Sequence, residues 1–148
     1  MATPTINDYL KYANLQMAAE AFIRNETTGV LASTGQALID ALVAGNNHAS
    51  KFTEAQATDF AAQWEVVDQR TNTTTGFSGT LFRNRANPNE LVVSMRSTEF
   101  IDDAVRDNAT NSLEIKNTGW AWGQITDMEK WYADLNADGG PLKGKTFA

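Results

Sequence analysis

Apolar residues at Ile6, Leu10, Ala13, Met17 and Ala21 recur at the spacing of one helix face. Thr5, with Asp8 three residues on, supplies a capping pair in front of them. This pattern predicts a helix from Thr5 to about Ile23 with one side buried. Leu38, Ile39, Leu42 and Val43 predict a second helix, Gly35–Ala44, closed by Gly45-Asn46-Asn47. Thr53-Glu54-Ala55-Gln56 is a capping box that opens a third helix reaching about Gln63. The period then changes. Trp64–Arg70 reads as a strand, Thr71–Thr75 as a polar turn and Gly76–Arg83 as a second strand. Asn84–Asn89 is a tight connection, and Glu90–Arg96 is a third strand. Its unbroken apolar run, Leu91-Val92-Val93, is what a strand covered on both faces carries, so it is expected at the centre of the sheet.

A short acidic helix is expected from Phe100 to about Asp107. A long one follows from Gly119 through Trp122, Ile125, Met128, Trp131 and Tyr132 to Leu135. Asp138–Pro141 is a loop, and Lys143–Ala148 begins what reads as a fourth strand. A strand, a helix and a returning strand require a parallel crossover, with helices on the faces of the sheet. The expected fold class is therefore α/β, with 1–63 a helical segment and 64–148 carrying the sheet, a short helix and the long helix. The sequence ends inside the last strand, so the expectation is either a single domain or the N-terminal half of one.

Composition narrows the chemistry. The 148 residues, 42% hydrophobic and 20% charged, suit one folded domain. No apolar run approaches the roughly 18–20 residues of a membrane span, and Met1-Ala2-Thr3-Pro4 has neither the basic nor the apolar part of a cleavable leader. A signal for export placed at the C-terminus would leave the same trace. The net charge of −6 and the lack of any Lys/Arg cluster argue against nucleic acid as a partner. No cysteine is present and His48 is the only histidine, so thiolate nucleophiles, Cys-ligated zinc and histidine-pair metal sites are excluded within these residues.

The run Leu91-Val92-Val93-Ser94-Met95-Arg96-Ser97-Thr98-Glu99-Phe100-Ile101-Asp102-Asp103 resembles the class 3 (fungal-type) lipases and related bacterial lipases. In that family a buried strand ends in a similar V-x-F-R-G-T/S run and passes into the lid. Gly119-Trp120 is similar to the pair opening the helix that precedes the nucleophile strand. Lys145-Thr146-Phe147-Ala148 is similar to the start of the family's K-x-x-V-T-G-x-S-x-G strand and elbow. The resemblance covers Trp64 to Ala148, with the pieces in the family's order. It implies an α/β-hydrolase sheet with flanking helices, ending at the start of the nucleophile strand. It also implies a role in hydrolysing carboxylic esters, lipids above all, through a serine nucleophile, with no cofactor and a secreted destination, the cytoplasm being the alternative. Ser97 stands where the family usually has Gly, and G-x-S-x-G is absent. Nucleophile, acid and base would come from a complementary C-terminal half, in the same or a separate chain, and these 148 residues alone are expected to be inactive.

The resemblance makes Thr98 an oxyanion-hole donor, offering a backbone N–H and a hydroxyl at the end of a strand; the alternative is a cap on the next helix. Phe100 and Ile101 read either as lining an acyl groove or lid underside, or as the core-facing side of an amphipathic helix. Arg96 reads as a structural tie from the strand end to nearby carboxylates rather than as a ligand. Asp102, Asp103 and Asp107 suit a solvated helix face, and His48 a surface loop between helices. Asn136–Gly140 only echoes a calcium loop, since the downstream Glu is missing. Trp120, Trp122 and Trp131 read as core. Outside enzymology, the chain reads as a non-catalytic module that binds a complementary chain by strand addition.

Overall fold

A computed structural model describes residues 3–46, 51–96 and 116–148. Helix α1 (Ile6–Ala19) starts where the capping pair demands: Thr5 Oγ1 accepts from the Asp8 amide at 3.3 Å, and the Thr5 amide donates to Asp8 Oδ2 at 2.8 Å. It ends at Ala19, four residues before the expected Ile23. The reason lies in the sheet. Gln69 Oε1 accepts from the amides of Ile23 (2.9 Å) and Arg24 (2.7 Å), and Gln69 Nε2 donates to the Ala21 carbonyl (2.9 Å). These bonds to a neighbouring strand replace those that a continuing helix would make. Helix α2 (Gly35–Ala44) closes on Gly45, at φ 59°, whose amide donates to the Ala41 carbonyl. Helix α3 (Glu54–Gln63) opens on the reciprocal Thr53–Gln56 capping box and runs straight into the first strand.

Strands β1 (Trp64–Arg70), β2 (Gly79–Asn84) and β3 (Leu91–Met95) form an antiparallel sheet in the order β1-β2-β3. Helix and sheet are mixed as expected, but the described strands pair antiparallel across short connections, an α+β arrangement in place of the expected α/β one. The central strand is β2, where Thr80, Leu81 and Phe82 are fully buried. The expectation that placed β3 at the centre is corrected: Leu91 and Val92 are buried, yet Met95 is 45% exposed. The second strand begins at Gly79 rather than Gly76, because Thr73 and Phe77 first close a turn in which Gly76 adopts φ 84°. Gly79 cannot be replaced cheaply. A Cβ there would lie 2.6 Å from the Trp131 ring, closer than any carbon contact allows.

Alternation along the strands separates two cores. Val66, Phe82 and Val92 face α1, α2 and α3, packing with Leu15, Leu38, Leu42 and Phe60. Leu81 and Leu91 face the opposite side, where Phe77, Leu142 and helix α4 (Trp122–Asn136) supply Trp131 and Leu135. Helices therefore cover both faces of the sheet. A single helical turn, Lys116–Thr118, precedes α4. Of the three tryptophans expected in the core, only Trp131 is there; Trp120 and Trp122 are 59% and 54% exposed, with their rings 6.0 Å apart.

After α4 the chain doubles back tightly, with the Leu142 amide donating to the Leu135 carbonyl at 2.9 Å. The expected strand Lys143–Ala148 is reduced to its last residue, because Pro141–Gly144 is taken up by turns. The Ala148 amide donates to the Leu91 carbonyl (2.9 Å), and its carbonyl accepts from the Val93 amide (2.7 Å). One residue bonding to both neighbours of Val92 in this sense is the hydrogen-bond unit of a parallel ladder. The outer edge of β3 thus receives a parallel contact from the chain that has crossed over through α4.

Candidate functional site

Strands β1 and β3 run in the same direction and end together, beside the start of β2. At this end of the sheet the exit from β3 is held on several sides. The Arg96 amide donates to the Ser78 carbonyl at 3.0 Å, and Ser78 Oγ donates to the Arg70 carbonyl at 2.7 Å. From α1, Gln16 Nε2 donates to the Met95 carbonyl (2.9 Å) while Gln16 Oε1 accepts from Ser94 Oγ (2.7 Å). The Arg96 guanidinium donates to Asn72 Oδ1 and lies over the Phe22 ring, 4.8 Å from its centroid. Carboxylates were the expected partners of Arg96; the partners described here are an amide oxygen and an aromatic ring.

The loop between β1 and β2 is in turn fastened to α4. Gln124 Nε2 donates to the Thr75 carbonyl (3.1 Å), and Thr75 Oγ1 donates to Asp127 Oδ2 (2.7 Å), with Thr73 Oγ1 2.9 Å from Thr75 Oγ1. The Thr75 hydroxyl holds the Asp127 carboxyl below the usual carboxylate range, against partial burial and with help from Thr73, Lys130 and Arg70. A carboxyl with a depressed folded pKa stabilises the fold above its unfolded value and loses that contribution as pH falls through the folded value. Wild-type protein is expected to lose more stability than Asp127→Asn as pH falls through the acidic range in which this carboxyl takes up its proton. Urea denaturation across that range checks it, and parallel curves for the two proteins would refute it.

A second polar link joins the two sides of the sheet. Asp68 pairs with Arg24 through Oδ1, and its Oδ2 accepts from Trp131 Nε1 at 2.7 Å. Neither this pair nor the buried Gln69 was marked as special by the pattern of residue types. Phe22, besides supporting Arg96, forms one wall of a cleft of about 670 Å³ between residues 22–32 and α2.

Thr98, Phe100 and Ile101 lie outside the described residues, as do Asp102, Asp103, Asp107 and His48. What is described is the frame from which residue 97 departs: a strand end fixed by Gln16, Ser78, Asn72 and Phe22. Among the described residues no group of three or more His, Asp or Glu side chains is placed to hold a metal ion, and no helix is long and apolar enough to cross a membrane. Comparison with known proteins returns no matching family model, no matching curated protein and no matching solved structure.

Proposed function

We propose that the chain is part of a carboxylic-ester hydrolase of the lipase type, built on an α/β-hydrolase sheet and acting through a serine nucleophile. In this reading it contributes the sheet, the lid region and the oxyanion donor Thr98. Serine, acid and base come from residues outside these 148, continuous with them or on a second chain. One observation carries the reading: the parallel hydrogen-bond pair between Ala148 and the residues flanking Val92, made after the chain has crossed one face of the sheet as α4.

The chemistry explains why that contact matters. Acyl transfer at a serine builds negative charge on the carbonyl oxygen. One oxyanion donor in such enzymes comes from the residue after the nucleophile and another from the loop leaving a neighbouring strand. Both donors must reach one oxygen, so the two strands must lie side by side and end on the same side of the sheet. A strand continuing from Ala148 parallel to β3 would end beside the exit held at Arg96. The resemblance of Arg96-Ser97-Thr98 to the family's oxyanion run supports the same assignment. It brings with it an ester or lipid substrate and a secreted destination, and the exposed Trp120 and Trp122 suit contact with a lipid interface.

The test is reconstitution. The 148 residues alone should hydrolyse no short p-nitrophenyl ester. Joined to, or mixed with, a segment that opens on V-T-G-x-S-x-G and carries the acid and base, they should turn over and be titrated by a serine-reactive phosphonate. Turnover by the 148 residues alone that disappears in His48→Ala would overturn the reading.

A further inference from the structure

We infer that Asp138-Gly139 is a modification site: the Gly139 amide nitrogen closes on the Asp138 carboxyl to form a succinimide, whose hydrolysis leaves isoaspartate at position 138. The inference is independent of the ester-hydrolase reading. Asp138-Gly139 is the only Asp-Gly pair in the sequence, and no Asn-Gly pair is present. Glycine in second place matters because it has no side chain to obstruct the approach of its nitrogen to the neighbouring carboxyl.

The turn leaves both reacting groups accessible. Ala137–Gly140 closes a four-residue turn after α4, with the Gly140 amide donating to the Ala137 carbonyl at 2.8 Å and Gly139 at φ 83°. The Asp138 side chain is 98% exposed. Its partner Lys143, 3.0 Å away, is 59% exposed, so this surface pair holds the carboxyl weakly. The Gly139 amide donates to no group among the described residues, and beyond its chain neighbours no atom lies within 4 Å of where a Cβ on Gly139 would stand. Rotation of this peptide toward the carboxyl therefore meets open space. Asp40, Asp59, Asp127 and Asp134 differ on both counts: each lies in a helix whose ladder holds the next amide, and none is followed by glycine.

The chemistry needs only water. The Gly139 nitrogen attacks Cγ of the protonated Asp138 carboxyl; a C–N bond forms, and the carboxyl hydroxyl leaves with the amide proton as one water. Nothing is oxidised or reduced. Water then opens the ring at either carbonyl. Opening at the side-chain carbonyl restores aspartate, whereas opening at the main-chain carbonyl leaves the backbone running through Cβ beside a free α-carboxylate. That carboxylate is the chemical class on which S-adenosylmethionine-dependent isoaspartyl methyltransferases act. The turn has no slack for the extra backbone atom. A Cβ on Gly140 would run into the Leu135 carbonyl oxygen, which already accepts from the Leu142 amide at 2.9 Å. Leu142 is fully buried in the core under α4, so isomerisation should loosen its seat there.

The test ages the 148-residue protein for several weeks at neutral pH and physiological temperature. Peptide mapping by mass spectrometry should find, at 138–139, a succinimide lighter by one water and an isoaspartyl product of unchanged mass. The aged protein should also accept a labelled methyl group through an isoaspartyl methyltransferase. An exposed turn opens at almost no free-energy cost, so the rate should lie within about tenfold of that in the free peptide 134–142. Asp138→Glu keeps the charge but would require a larger ring, and it should lose both signals. In the isomerised fraction, separated by chromatography, protection of the Leu142 amide from hydrogen exchange should fall at least about tenfold. Aged protein without isoaspartate at 138, or methyl acceptance that survives Asp138→Glu, would overturn the site. An isomerised fraction that keeps Leu142 protected would overturn its link to the core.

Discussion

In an assembly that carries the serine, acid and base, Thr98→Ala is expected to lower kcat by roughly 10²–10³-fold with KM little changed. The substitution keeps the backbone N–H and removes the hydroxyl. A hydroxyl aimed at the tetrahedral oxyanion binds it more strongly than the ground-state carbonyl, so its loss raises the barrier without weakening substrate binding. The effect has this size only if the donor is held in place before reaction, since a mobile donor must be ordered during the step. The surroundings of Arg96 meet that condition up to two residues away: Ser78 fixes its amide, and Asn72 and Phe22 fix its side chain. Thr98→Ser should retain most of the activity. Asn72→Ala should leave Thr98 chemically intact but less well placed, costing kcat a smaller factor, on the order of tenfold. If Thr98→Ala spares kcat and lowers only the melting temperature, Thr98 is a helix cap worth about 1 kcal/mol.

Much of the frame was legible because its signals are local. Thr5 with Asp8 and Thr53 with Gln56 are adjacent in sequence and form the reciprocal caps expected of them. Gly45 ends α2 where its backbone freedom permits, and β1 has the expected bounds. The misreadings share a cause, which is competition from residues far away in sequence. Strand order is one case. Leu91-Val92-Val93 is covered on both faces, as an apolar run implies, but the middle of the sheet is taken by β2, whose apolar run is only Leu81-Phe82. Trp122 opens α4 nine residues before Trp131, which puts it on the opposite side of the helix from the face that Trp131 buries, and Trp120 precedes the helix.

The least legible feature is the polar centre of β1. Counting by twos from Trp64 and Val66 puts Asp68 on their face and Gln69 on the other. The register shift between Val66 and Asp68 reverses that parity. Gln69 then pairs with Thr80 and turns toward the face of Val66 and Phe82, whereas Asp68 pairs with Leu81 and turns toward Trp131. A strand pattern read without the bulge assigns both side chains to the wrong core. Both are satisfied where they are: among the described residues, no buried side-chain polar atom lacks a hydrogen-bond partner.

That arrangement makes Gln69→Leu a strongly destabilising change in the described fold. Gln69 is 3% exposed and makes four hydrogen bonds, accepting from the amides of Ile23 and Arg24 and donating to the Ala21 carbonyl and Thr80 Oγ1. Leucine has a similar volume, so no large cavity is left; the loss falls on the groups left behind. Each buried polar group deprived of its partner costs about 1–3 kcal/mol. Arg24 is partly exposed and regains some water, and the added apolar burial offsets a further part. A net loss of roughly 3–5 kcal/mol follows, lowering the melting temperature by about 10 °C or more. Thr80→Val removes a single bond and should cost only about 1 kcal/mol. The two effects separate in hydrogen exchange: Gln69→Leu should strip protection from the Ile23 and Arg24 amides first, while Thr80→Val should leave it in place. A Gln69→Leu protein within 1 kcal/mol of wild type, with those two amides still protected, would show that the segment is held by its apolar packing alone and that the hydrogen bonds are incidental.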